Sequence, residues 1–346
     1  MNADQFADWM PIRVYRDGGQ TMVDWCYLGA ARFTDPFFVD TIEKRLVTPF
    51  NLLFRRQTPI EALAELQRAS PGLAPTGFIF HMSRCGSTLV SQMLAALPQH
   101  IVISEAVPID LVLGAHFLQP EVTDEERIAW LRGLISALAR PRVNRETHFF
   151  IKFDSWHVLE LPLIERAFPG VPWIFLYRNP IEVIVSQHRQ HGLHLVPAML
   201  DPGRLGLDWP ALTGESLEDY EVRVLARLCQ AALQHRSTDG LLVNYRQLPD
   251  AVYSTIARHF QIEFSSADIE RLRRAAQFDA KDPTQRFEED SRKKNRAATD
   301  GMRRLAAQYL DPLYEQLEVA RTAAEVNGAD QPLHLEPVRM EQVGAV

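Results

Sequence analysis

Residues 78–90 read FIFHMSRCGSTLV, and this stretch decides the fold. An apolar run ends in a short polar segment that contains Arg84, Gly86 and Ser87, and a second apolar run with helical spacing follows. This order predicts a strand, a tight turn and a helix. The first turn of a helix has unpaired N–H groups that favour negative charge, so the turn is a candidate anion-binding loop.

The sequence that follows this loop repeats the same alternation. Short apolar strand candidates are separated by amphipathic helix candidates with cap residues, and these strands read IVIS, HFFIKF, PWIFLYR and GLLVNY. Such alternation indicates parallel βαβ units and a sheet covered on both faces. We therefore expect an α/β fold of the P-loop type, with three layers and a central parallel sheet between helices.

The amino-acid composition predicts an N-terminal extension, a main domain and a C-terminal tail. The segment SPGLAPTG, rich in Pro and Gly, predicts a linker that separates an N-terminal extension, residues 1–74, from the main domain, residues 75–320. Residues 321–346 have little periodicity and are interpreted as a C-terminal tail. Residues 191–215 are longer than an ordinary connection, and loops of that length usually have a function.

The extension contains three predicted elements, one of which, RFTDPFFVDTIEKRL, is a loop followed by a capped helix. The segment MVDWCYLG indicates a strand, and TPIEALAELQRAS predicts a helix that starts at Thr58 or Pro59.

Charge and cysteine content restrict the class of protein. The 346 residues carry a net charge of −7, which argues against a general nucleic-acid binder. The three cysteines are far apart, which disfavours a disulfide framework or a CxxC zinc site. There is no signal-peptide pattern and no apolar stretch of about 18 residues for membrane insertion. We expect a cytoplasmic protein without nucleic-acid partners.

The loop at 81–88 departs from the Walker A pattern GxxxxGK[ST]. When Gly86 is aligned with the second glycine of that pattern, Ser87 replaces the lysine and His81 replaces the first glycine. A nucleoside-triphosphate site is therefore disfavoured. Gly86, Arg84 and the hydroxyls still suit an anion, although a capped turn that binds nothing is the alternative.

The segment LYRNPIEVIVSQHRQ contains a second candidate anion site. Arg178 stands at the end of a predicted strand, and Ser186 follows about two helical turns later. The carboxyl ends of parallel strands face one crevice, so Arg84 and Arg178 are expected at the same edge of the sheet. This arrangement suits a ligand with two separate anionic groups.

The two motifs together resemble those of the sulfotransferases that use 3′-phosphoadenosine-5′-phosphosulfate. The first loop of that family commonly reads PRSGTTL, and here it reads SRCGSTL, with Ser83 for Pro and Cys85 for Ser. The family's second motif has an Arg, a Pro and a Ser at the spacing of Arg178, Pro180 and Ser186. A third segment, LLVNYRQLPDAVYSTIARHFQI, is also similar, and the layout is most similar to that of protein-tyrosine-sulfotransferase-like members.

The resemblance implies which residues bind the donor. The group expected at its 5′-phosphosulfate end consists of Arg84, Cys85, Gly86, Ser87 and Thr88. Arg178 and Ser186 are expected at the 3′-phosphate, and Tyr245 beside the adenine. A basic run resembles the late segment that closes over the 3′-phosphate in the family, although a solvated charge run is the alternative; the run consists of Arg292, Lys293, Lys294 and Arg296.

The resemblance also implies catalytic roles. Glu105 falls where protein-tyrosine sulfotransferases place their catalytic Glu, and a positioned base contributes about 10²- to 10⁴-fold to the rate. Lys152 resembles the lysine that stabilises the leaving phosphate, and Arg84 is expected to take part in catalysis as well as in binding. His157 is the alternative base.

Histidines are the remaining candidates for contacts with the acceptor. We consider His157, His188 and His191 for this role. A metal site is not expected, because Gly192 interrupts the helix and no fourth ligand is evident.

The resemblance therefore implies in-line transfer of a sulfuryl group, without a metal, to a hydroxyl or amine of a small-molecule or peptide acceptor. The extension and the loop at 191–215 are expected to shape the acceptor pocket. A homo-oligomer is compatible with the sequence. Two alternatives stay open: a P-loop small-molecule kinase, and a non-catalytic sulfotransferase-like protein that binds a nucleotide.

Overall fold

The structure, a computed structural model, describes residues 3–143, 145–196, 200, 202–207 and 216–328. Its strands are β1 (Trp9–Asp17), β2 (Gln20–Tyr27), β3 (Arg56–Pro59), β4 (Gly77–His81), β5 (His100–Ser104), β6 (His148–Lys152), β7 (Trp173–Tyr177) and β8 (Gly240–Asn244). Its helices before β6 are α1 (Phe38–Leu46), α2 (Pro49–Leu53), α3 (Glu61–Ala69), α4 (Ser87–Ala95), α5 (Val107–Leu113), α6 (Ala115–Leu118) and α7 (Asp124–Leu138). The later helices are α8 (Leu161–Ala167), α9 (Pro180–Arg189), α10 (Leu217–Gln234), α11 (Thr255–His259), α12 (Ser266–Ala275), α13 (Ser291–Ala297), α14 (Asp300–Leu305) and α15 (Asp311–Gly328).

A parallel sheet in the order β5-β6-β4-β7-β8 forms the centre of the molecule. Every residue of β4, β5 and β7 is buried, as expected for strands that are covered on both faces. The predicted α/β fold, with a central parallel sheet between helices, is confirmed. The strand β4 lies in the middle of the sheet, so the loop that follows it opens at the centre of the carboxyl edge.

The N-terminal extension forms a second, antiparallel sheet in the order β1-β2-β3. The strand predicted from MVDWCYLG is confirmed as part of β2. The predicted start of the next helix is wrong: Thr58 and Pro59 belong to β3, and α3 begins at Glu61. Thr58 pairs with β2 and accepts a hydrogen bond from Trp25 Nε1 at 3.0 Å, which keeps this segment extended.

Several helix boundaries follow the cap signals in the sequence. Thr123 and Glu126 form the predicted capping box of α7, and Pro180 opens α9. The helix α15 runs through the predicted boundary at residue 320. The tail beyond 328 and residues 197–199, 201 and 208–215 of the loop at 191–215 lie outside the described residues. Among the described helices, none is long and apolar enough to cross a bilayer.

Candidate active site

The loop between β4 and α4 has an unusual backbone. Ser83, Arg84 and Gly86 have φ values of 75°, 51° and 88°, in the left-handed region. A Cβ on Gly86 would lie 2.8 Å from the side chains of both Leu248 and Tyr245, so only glycine fits this turn. The loop therefore approaches the β8 end closely and leads directly into the N-terminus of α4, where backbone N–H groups favour an anion.

His81 and Cys85 lie beneath this loop as neutral packing residues. His81 Nδ1 accepts the Ser83 N–H at 3.0 Å, so Nε2 carries the proton and donates to the Phe153 carbonyl at 3.1 Å. Burial lowers the pKa of His81. The Cys85 thiol donates to the Leu176 carbonyl, and burial raises its pKa to about 12, so Cys85 is a thiol and not a reactive thiolate.

Glu105 and Lys152, the two predicted catalytic residues at neighbouring strand ends, lie in direct contact. Glu105 has a φ of 53°, and its N–H donates to the Lys152 carbonyl at 2.7 Å. The Lys152 ammonium, which is 1% exposed, forms an ion pair with the Glu105 carboxylate. Burial alone would raise the pKa of Glu105, but the charge of Lys152 and the hydrogen bond from His81 lower it well below its usual range. Glu105 is therefore ionised.

A lysine that the sequence analysis missed, Lys281, lies near this pair. The ring of Phe37 lies between two ammonium groups, with Lys152 Nζ 5.0 Å and Lys281 Nζ 5.6 Å from its centroid. Burial, together with the charges of Arg84 and Lys152, lowers the pKa of Lys281 to about 8. No motif in the polar stretch DAKDPT indicates this role, because the segment lies in a loop closed by the bridge between Phe278 and Arg286 and meets Phe37 only in the folded chain.

The second predicted anion site is built around Arg178. Its Nε donates to Glu182 at 2.5 Å, and one of its terminal nitrogens donates to Asp290 at 2.9 Å. Its guanidinium lies over the ring of Tyr245, 3.8 Å from the centroid. Burial alone would lower the pKa of Arg178, but the neighbouring Tyr245, Asp290 and Glu182 raise it. Arg178 is a fixed cation, already paired with two carboxylates.

The predicted late basic segment reaches the cleft through Lys294. Lys294 is buried, lines the cleft and lies 2.7 Å from Asp290. Lys293 pairs with the exposed Glu288 at 3.0 Å, and Arg292 is exposed. Helical periodicity explains the difference, because one turn of α13 separates Asp290 from Lys294 and directs both to the same side.

The candidate histidines occupy three different environments. His157 is buried behind the cleft, with Nε2 2.8 Å from Asp110. His191 lines the cleft and is hydrogen-bonded to Glu221, whereas His188 is exposed on α9. His157 is therefore placed as a support for the wall and not as a group that reaches the cleft.

Two further polar groups line the cleft near Glu105. Burial raises the pKa of Asp154 to about 7, which makes it a second carboxyl group available for proton transfer. His194 Nε2 lies 3.2 Å from Ser155 Oγ, and burial lowers the pKa of His194 to about 3. Within the described residues, no group of three or more His, Cys, Asp or Glu could hold a metal ion.

One cavity of about 750 Å³ joins these features. The predicted site residues that line it are Arg84, Cys85, Gly86, Ser87, Thr88, Glu105, Arg178, Ser186, His191 and Tyr245. Arg84 also donates to the carbonyl and to the side-chain oxygen of Gln190, at 2.6 and 2.9 Å, which ties the first loop to the end of α9. Both predicted anion sites therefore open into the same cleft.

A sequence model described as the sulfotransferase family matches residues 75–266, more than half of the chain. The chain belongs to the sulfotransferase family. It is accordingly a sulfotransferase enzyme, and the family implies a donor of the phosphosulfate-nucleotide type. This match confirms the family that was predicted from the SRCGSTL and RNPIEVIVS motifs.

A comparison with solved structures also finds proteins that are described as sulfotransferases. Sulfotransferase STF9 from Mycobacterium avium is 12% identical, with 73% of this chain and 81% of that chain covered and a TM-score of 0.46. The sulfotransferase domain from the curacin biosynthetic pathway is 17% identical, with 68% and 98% covered and a TM-score of 0.38. Sulfotransferase STF1 from Mycobacterium tuberculosis H37Rv is 15% identical, with 62% and 75% covered and a TM-score of 0.37. A search of curated proteins found no match.

Proposed function

We propose that this sulfotransferase moves a sulfuryl group from 3′-phosphoadenosine-5′-phosphosulfate to a hydroxyl or amine of a small acceptor. The observation that carries the proposal is the single cleft of about 750 Å³ onto which two separated cationic sites open. One site is the left-handed loop at the start of α4, and the other is Arg178 with Tyr245. A nucleotide with an anion at each end matches this separation.

The lining residues fit such a donor by their chemistry. Gly86 permits close approach of a phosphate to the backbone, and Arg84 and Lys281 supply positive charge around it. Lys152 is buried behind the lining, where it pairs with Glu105. Arg178 offers a guanidinium for the 3′-phosphate, with Ser186, Lys294 and the Tyr245 ring in the same lining. When bound, the donor supplies an activated sulfuryl group attached to a phosphate leaving group.

Glu105 is proposed as the general base and Lys152 as the cation that stabilises the leaving phosphate. The acceptor oxygen forms a bond to sulfur while its proton passes to the Glu105 carboxylate, and the bond between sulfur and the phosphate oxygen breaks. The electron pair of that bond stays on the phosphate, beside Lys152. The ion pair between the two residues links these roles: when Lys152 turns toward an anionic donor, Glu105 loses the charge that lowers its pKa and becomes a stronger base.

Binding of adenosine 3′,5′-bisphosphate tests the proposal directly. We expect this nucleotide to stabilise the protein by about 2.7 kcal/mol at a concentration one hundred times its dissociation constant. Thermal unfolding should be followed with the bisphosphate, with ADP and with ATP plus magnesium as matched ligands. A larger shift with ATP and magnesium than with the bisphosphate would favour a kinase, and no shift with the bisphosphate would refute the proposed donor.

Lys281 should make donor binding depend on pH. Its pKa is about 8 in the free protein, where Arg84 and Lys152 oppose its charge and Glu105 and Asp279 favour it. A bound phosphate also favours the charged form, so binding draws a proton onto Lys281 when the pH exceeds this pKa. The contribution of Lys281 to affinity is therefore constant below about pH 7 and falls by up to about tenfold per pH unit above 8.

The measurement is the dissociation constant of the bisphosphate from pH 6.5 to 9.5 for the wild type and for Lys281→Gln. The ratio of the two constants isolates Lys281, because other titrating groups, including Asp154 and the ligand itself, contribute to both proteins. We expect the ratio to shrink above pH 8. A ratio that does not change with pH would show that Lys281 does not face the bound phosphate.

A further inference from the structure

A second cavity, of about 540 Å³, has no role in the proposed donor site. Its lining is mainly apolar and comes from the N-terminal sheet, from α1 and from the first residue of α5. The apolar side chains that define it are Ile12, Trp25, Phe38, Val39, Ile42 and Val107. We call this cavity the apolar groove. Its volume lies within the range of small-molecule sites, roughly 300–1,000 Å³.

The apolar groove and the catalytic cleft share two stretches of chain. Phe37 lines the cleft beneath Lys152, and the next residue, Phe38, lines the groove. Glu105 lines the cleft, and Val107, two residues further on, lines the groove. The two cavities are therefore neighbours across these two stretches of chain, and the proposed base lies on the cleft side of the wall that they share.

The groove has an apolar floor and a charged rim. Trp25 and Phe38 are each 2% exposed, whereas Arg13, which also lines the groove, is held at the surface by an ion pair with Asp24 at 2.9 Å. Val39 remains 40% exposed although it lies within an apolar lining. Water next to such surface is displaced favourably by a hydrocarbon chain.

The charges in the catalytic cleft favour an acceptor with a hydroxyl group over one with an amine. Arg84, Lys152 and Lys281 place three cations near Glu105. Asp154 lines the same cleft, but burial raises the pKa of its carboxyl group to about 7, so it carries only part of a negative charge near neutral pH. A protonated amine would be repelled by the same charges. A neutral hydroxyl carries no such penalty.

We propose that the acceptor is an elongated apolar alcohol, whose hydrocarbon chain lies in the apolar groove and whose hydroxyl reaches Glu105. This inference rests on the proposed function and names its acceptor class. The hydroxyl proton passes to Glu105, the oxygen bonds to sulfur, and the product is a sulfate monoester with a long apolar chain. Such a product is an amphiphilic anion.

Linear primary alcohols from 1-butanol to 1-octanol test this assignment by direct binding. Each added methylene that enters the groove should raise the affinity, measured by calorimetry, by up to about fourfold. Val39→Asp should weaken the binding of 1-octanol by at least about tenfold, because it places a carboxylate in the apolar lining. The variant should fold, since an acidic residue in the first turn of α1 is favourable. Val319→Asp, at an exposed position on α15, is the matched control and should leave binding within twofold.

Turnover with the phosphosulfate donor completes the test. We expect sulfation of 1-octanol to exceed that of 1-butanol and of octylamine, and Val39→Asp to remove the advantage of 1-octanol over 1-butanol. Affinity that is independent of chain length, equal affinity in Val39→Asp, or preferred sulfation of octylamine would each overturn the inference. Failure of the proposed function would give a different result, namely no binding of adenosine 3′,5′-bisphosphate. The binding of alcohols is measured without the nucleotide, so it tests the acceptor independently.

Discussion

Replacing Glu105 by Gln is expected to lower kcat by about 10²- to 10⁴-fold, because an amide cannot take the acceptor proton. The affinity for adenosine 3′,5′-bisphosphate should be unchanged or higher, since the substitution releases Lys152 from its ion pair with a carboxylate. The Gln oxygen can still accept a hydrogen bond from Lys152, so the fold should survive with a lower unfolding temperature, because the buried Lys152 loses its counter-charge. The measurement is steady-state turnover combined with calorimetric binding of the bisphosphate.

Asp154→Asn is the matched control for this prediction. It exchanges a second carboxyl group for an amide in the same cleft lining, and burial has raised the pKa of that carboxyl to about 7. If Glu105 is the base, kcat of Asp154→Asn should fall by less than about tenfold, since a group that only lines the cleft does not take the acceptor proton. The reverse order of effects would transfer the role of base to Asp154.

The sequence predicts the central sheet well because the relevant signals are local. The strands β4, β5 and β7 read as uninterrupted apolar runs, which is the pattern of parallel strands buried on both faces. Thr123 and Pro180 fix helix starts through interactions within a few residues. Predictions fail where the decision is tertiary: Arg56–Pro59 becomes a strand because β2 provides a pairing partner.

For the candidate site, too, the sequence predicts what depends on local signals and misses what depends on tertiary contacts. Arg84, Glu105 and Arg178 directly follow strands of one parallel sheet, so their convergence can be predicted from the order of the strands. Lys281 cannot be found in this way, because a polar segment places it beside Phe37 from more than 200 residues away. Nor does the sequence reveal that Arg178 is already paired with Asp290, a contact that only the folded chain creates.

That pairing leads to the second large effect, which concerns nucleotide binding. Arg178→Ala should weaken binding of adenosine 3′,5′-bisphosphate by about 10- to 100-fold, because hydrogen bonds to charged groups contribute about 1.5–3 kcal/mol each. Asp290→Asn should act in the opposite direction. Its carboxylate now occupies Arg178 at 2.9 Å, so the amide would remove an anion that competes with the 3′-phosphate, and we expect binding about tenfold tighter, or about 1.4 kcal/mol.

Arg178→Ala should change the stability of the protein as well as its affinity for the nucleotide, so the two quantities have to be measured separately. Arg178→Ala leaves Glu182 buried without its cation, and removing one partner of a buried pair costs about 3–5 kcal/mol, so this variant should also unfold at a lower temperature without any ligand. Dissociation constants should therefore be measured by calorimetry well below each variant's unfolding temperature.

Arg178→Lys retains the charge but loses the planar fork, and should bind with intermediate affinity. If Asp290→Asn weakened binding instead, Asp290 would orient Arg178 for the phosphate and would not compete with it.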